Sequence, residues 1–128
     1  MTATTASAPW LIVDGIGPFF RDVAPARINW SKIPFAELEQ DGLPDRVRWG
    51  RIREDFHHFC LQAARYGFNA ITLDDLAHLV EHPEYPDALR RKIAAYQEEY
   101  AHLFAIATAC GLRVLVTTDI MFFNPTLE

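Results

Sequence analysis

Tyr66-Gly67-Phe68-Asn69-Ala70-Ile71-Thr72-Leu73-Asp74-Asp75 is the stretch on which the fold turns. Glycine closes a helical pattern, a short apolar run follows, and the run stops at two carboxylates. The same order returns at Gly111-Leu112-Arg113-Val114-Leu115-Val116-Thr117-Thr118-Asp119. Helix, glycine stop, buried strand and polar strand end make up the repeating unit of a parallel α/β protein. Function in such proteins collects at the C-terminal ends of the strands. Asp74, Asp75 and Asp119 therefore mark the working edge.

Upstream of each stop lies an amphipathic pattern. Trp49, Ile52, Phe56, Phe59, Ala63 and Tyr66 recur at the i, i+3, i+4 spacing of one helical face. This predicts a helix over 46–66, ended by Gly67 in the left-handed region. Leu89, Ile93, Tyr96, Tyr100, Leu103 and Ala107 repeat the pattern. A second helix is expected over 86–110, with Pro86 in the first turn, where its missing N–H costs nothing.

Arg27-Ile28-Asn29-Trp30 reads as a further strand. Strand starts near Ile28, Ala70 and Arg113 are then spaced by about 42 residues, room for one βα unit each. The expectation is a β-α-β-α-β order, with parallel neighbours at 27–33, 68–73 and 112–118 and both helices on one face. Trp10–Val13 is a short strand candidate in a small N-terminal extension. Residues 1–9 read as a disordered tail, 10–128 as one domain, and Asp41-Gly42-Leu43-Pro44 as loop. Strands this apolar need cover on both faces, as in a parallel sheet. Two architectures fit: an open three-layer sheet, or the N-terminal part of a (β/α)8 barrel, which needs about 250 residues. The barrel is favoured, because an open sheet would be expected to end on a helix covering its last strand.

The chain has 128 residues and a net charge of -5, and half of its residues are hydrophobic. That suffices for a sizeable core and argues against a nucleic-acid partner, which would need a basic patch. No run approaches the roughly 18 apolar residues of a membrane span. The two cysteines, Cys60 and Cys110, form no CxxC pattern and read as buried free thiols, in keeping with a reducing cytoplasm. Gly15-Ile16-Gly17 lacks the third glycine of a dinucleotide fingerprint, whose place Phe20 takes. No Ser or Cys sits on a nucleophile elbow. No cofactor is expected.

The Tyr66–Asp75 segment resembles the second barrel strand of several glycoside hydrolase families. In beta-hexosaminidases and alpha-glucuronidases a helix ends in a small residue, a Gly/Lys-apolar-Asn triplet opens the strand, and polar residues close it. Gly111–Asp119 is similar to the third strand of the same barrels, which opens Gly-(Ile/Leu)-(Lys/Arg)-Val. The resemblance covers roughly residues 28–124. It implies a carbohydrate-active barrel, with Asp74, Asp75 and Asp119 at sugar-contacting positions. Catalytic carboxylates of those enzymes come from later strands, so no catalytic residue is carried over.

Three carboxylates on one rim suit sugar diols, and a close pair can keep one proton for acid work. The competing reading is that Asp74 or Asp75 caps a short helix over 76–80. His78 lies one turn on and is a further rim candidate. Together with His82 it matches the inverted zinc-peptidase motif His78-Leu79-Val80-Glu81-His82, but Pro83 cuts the helix short. Trp30 and Lys32 end the first predicted strand, where an indole face stacks on a sugar and an ammonium reaches hydroxyls; core packing and a solvated loop charge are their plain alternatives. The leading expectation is thus a carbohydrate-binding rim of Trp30, Lys32, Asp74, Asp75, His78 and Asp119. The rival is a non-catalytic α/β module that assembles through an exposed strand edge, with the third strand mediating self-association.

Overall fold

The computed structural model describes residues 8–14, 38–73 and 80–116. Within these residues seven elements follow one another: β1 (Ile12–Asp14), β2 (Glu39–Gln40), β3 (Leu43–Pro44), α1 (Arg46–Arg65), β4 (Ala70–Leu73), α2 (Asp87–Ala109) and β5 (Arg113–Val116). β1, β4 and β5 form one sheet in that spatial order, and β2 and β3 form a separate antiparallel hairpin. Both pairings in the larger sheet are parallel. The architecture is therefore mixed α/β around a parallel three-stranded sheet.

α1 begins where Asp45 offers its Oδ1 to the N–H groups of Val47 (2.8 Å) and Arg48 (3.1 Å), satisfying two orphan donors of the first turn. Its apolar stripe is Trp49, Ile52, Phe56, Cys60 and Ala63, all buried. Tyr66, counted in the stripe by its spacing, is 82% exposed, because it caps the helix where the chain turns away. α2 buries Ile93, Tyr96, Tyr100, Leu103 and Ala107, as its spacing predicts.

Both helices end in the same motif. Phe68 N–H donates to Ala63 O and Gly67 N–H to Ala64 O; Leu112 N–H donates to Ala107 O and Gly111 N–H to Thr108 O. These are paired Schellman closures, and Gly67 (φ 89°) and Gly111 (φ 81°) occupy the left-handed position they require. The repeat seen in the sequence is thus a repeat of hydrogen bonding.

Ile71 and Leu73 share one core cluster with α1 and α2, and Val13 and Val114 pack against it. Val13 and Val114 stand opposite Ile71 in the ladders, so one face of the sheet carries both helices. Ile12, Ala70 and Arg113, then Asp14, Thr72 and Leu115, line the other face.

The structure revises three expectations. The place beside β4 assigned to 27–33 is taken by β1, with Ile12 opposite Ala70 and Asp14 opposite Thr72; residues 27–33 lie outside the described residues. Three residues carry too little periodicity to rank β1 as a principal strand. What docks it is Asn69, whose Oδ1 accepts the Leu11 N–H (2.9 Å) and whose Nδ2 donates to Pro9 O (3.0 Å). Pro9, expected to belong to the tail, is tied down by that bond. Finally, Asp41-Gly42 is the tight turn of the β2–β3 hairpin, with φ of 54° and 75°. Positive φ at both positions matches a type I′ turn, for which Asp-Gly is a favoured pair.

Replacing Asn69 with alanine removes both side-chain bonds to the Pro9–Leu11 segment. A loss of about 1–2 kcal/mol is expected in urea unfolding, since each net hydrogen bond is worth about 0.5–1.5 kcal/mol. An unchanged midpoint would show that the backbone ladder alone holds β1.

Candidate functional site

The C-terminal edge of the sheet is where a parallel α/β protein places its ligand. Within the described residues that edge comprises Asp14, Thr72–Leu73 and Val116. The Thr72 hydroxyl donates to Asp14 Oδ1 at 2.9 Å, bridging β1 and β4 on the face away from the helices. Asp14 is exposed and Thr72 half-buried. At the opposite end of the same face the Arg113 guanidinium lies 5.1 Å from the Trp10 ring centroid, a cation–π contact. The face away from the helices therefore runs from a cation at its base to a carboxylate at its C-terminal edge.

From the sequence alone, Asp14-Gly15 reads as the turn that closes Trp10–Val13 and not as a site. The available signal was its position: it closes an apolar run, as Asp74 and Asp119 do. Asp74, Asp75, His78, Asp119, Trp30 and Lys32 all lie outside the described residues. In the chain, Asp74-Asp75 directly follows β4, and Thr117-Thr118-Asp119 directly follows β5.

His82 lies in a non-helical stretch between Val80 and Pro86. Its Nδ1 accepts the Glu84 N–H at 3.3 Å and its ring rests against Tyr85. The zinc-peptidase motif needs its second histidine on a helix, so His82 does not meet that geometry. Among the described residues no group of three or more His, Cys, Asp or Glu side chains could hold a metal ion. No helix among them is long and apolar enough to cross a membrane.

A second polar group sits between the hairpin and α2. Glu39 accepts from Tyr96 Oη (2.8 Å) and from Lys92 Nζ (2.9 Å), with its side chain only 10% exposed. Arg53 pairs with Glu99 across α1 and α2. Burial, and then the bond to Glu39, push the Tyr96 hydroxyl above the usual tyrosine range.

Neither family models, curated proteins nor solved structures match this chain. The likeness to glycoside hydrolases rests on its two strand-opening motifs alone.

One of those motifs now has a physical account. Asn69, the asparagine of Gly-Phe-Asn, acts through its side chain as an added rung of the β1–β4 ladder. It sets the register that brings Asp14 opposite Thr72.

Of the two cysteines, Cys60 is buried and Cys110 half-buried, and neither forms a disulfide. Burial, reinforced by the neighbouring Cys110, raises the Cys60 thiol from 9.0 to about 12. A thiol held protonated in the fold ionises more readily once unfolded. Its contribution is complete below pH 9 and disappears as pH rises toward 12. Tyr96 acts in the same direction. Stability is therefore expected to fall above about pH 9 through Cys60 and above about pH 10 through Tyr96, at up to about 1.4 kcal/mol per pH unit for each group, in melts taken between pH 7 and 10.5. Cys60→Ala should flatten the profile; an unchanged slope would assign it to other groups.

Proposed function

We propose that this chain supplies the opening βα units of a (β/α)8-type barrel that handles carbohydrate, with its ligand-facing rim at the C-terminal ends of β1, β4 and β5. The observation that carries the barrel reading is strand order. β1, β4 and β5 stand side by side in chain order, all parallel, with both helices on one face. A doubly wound sheet reverses its strand order at a switch point and covers both faces with helices. A barrel adds each strand beyond the last and keeps its helices outside.

On this reading the face bearing Asp14, Thr72 and Leu115 looks into the barrel, and Asp14 belongs to the rim with Asp74, Asp75 and Asp119. Carboxylates at strand ends accept paired hydrogen bonds from vicinal hydroxyls. His78, Lys32 and Trp30 are the further sugar-contacting candidates, the last by stacking. Hydrolysis would need carboxylates from later strands, as in the families the motifs resemble. The free thiols Cys60 and Cys110 suit a cytoplasmic setting.

The test is calorimetric titration with a panel of mono- and oligosaccharides. Binding by at least one saccharide is expected, weakened tenfold or more by Asp119→Ala and by Asp14→Ala. Failure of the whole panel, or affinity indifferent to both substitutions, would remove the carbohydrate reading.

A second reading, assembly through a strand edge, draws on surface apolarity. Trp10, Leu11 and Ile12 are each about half exposed, whereas Val114 and Leu115 of β5 are partly buried and Val116 is 39% exposed. Among the described residues, exposed apolar side chains are thus more concentrated along Trp10–Ile12 than along β5, the strand the sequence nominates for self-association. Light scattering behind size-exclusion chromatography separates the readings: a monomer at high concentration excludes self-assembly.

A further inference from the structure

We draw no further inference here: the strongest candidate, the half-exposed apolar run Trp10, Leu11 and Ile12 along the β1 edge of the parallel sheet, belongs to the assembly reading already given, and nothing in the structure shows what covers it.

Discussion

Trp49→Ala is expected to destabilise the protein by about 3–5 kcal/mol, the range for emptying a large aromatic site in a packed core. A domain of this size has a total stability of about 5–15 kcal/mol, so a large part of the margin goes. Trp49 is 1% exposed in the second turn of α1. Its ring meets Tyr96 edge-on at 5.8 Å between centroids and Tyr100 at 6.1 Å. These contacts join α1 to α2, and no small side chain can span the gap. Trp49 also has a feature that separates two effects: among the described residues, its buried indole Nε1 has no hydrogen-bond partner. Trp49→Phe keeps most of the ring volume and deletes that donor. Removing an unsatisfied buried donor relieves a penalty of about 1–3 kcal/mol, which offsets part of the lost packing. The phenylalanine variant is therefore expected to lose less than about 2 kcal/mol. Urea unfolding followed by circular dichroism measures both. Equal losses for the two variants would mean that the indole N–H is satisfied in solution, for example by water.

Glu39→Ala is the next largest expected effect, about 2–3 kcal/mol. Breaking a buried ion pair from one side costs about 3–5 kcal/mol, because the partner charge is left uncompensated. Here the Lys92 side chain is 28% exposed and can regain water, which reduces the figure. Tyr96 loses the Glu39 acceptor as well. Glu39→Gln keeps an acceptor for the tyrosine and removes only the charge, so about 1 kcal/mol is expected. The structural consequence is local. Two-residue strands make a marginal hairpin, and its attachment depends on Leu38 in the core and on Glu39. Hydrogen exchange at the Asp45 amide, which donates to Leu38 O, should accelerate in Glu39→Ala. A loss below about 0.5 kcal/mol with unchanged exchange would show that Leu38 holds the hairpin unaided.

The candidate rim was only partly legible in the sequence. Asp74, Asp75 and Asp119 stand out because they terminate apolar runs, a pattern that needs no partner strand to be seen. Asp14 does the same after Leu11-Ile12-Val13, but a run so short is indistinguishable from a turn until the neighbouring strand is known. Thr72 was invisible as a site residue, since an alternating polar residue in a strand carries no signal of which side chain it will face. The Glu39–Lys92–Tyr96 group was equally hidden: Glu39 is more than fifty residues from both partners and meets them only after the hairpin folds onto α2.

What the sequence determined by itself was local and periodic. The stripes of α1 and α2 and the Gly67 and Gly111 stops are set by contacts within a few residues, so they can be read from spacing and backbone preference. The parallel pairing of β4 with β5 also follows, because one helix joining two apolar strands crosses back over the sheet and lays them side by side in the same direction. Tertiary structure decided which segment flanks β4 on its other side. β1 gains that place through non-local bonds from Asn69 and Thr72 to partners about sixty residues away. No local preference encodes such a pairing; it exists only once the sheet has formed.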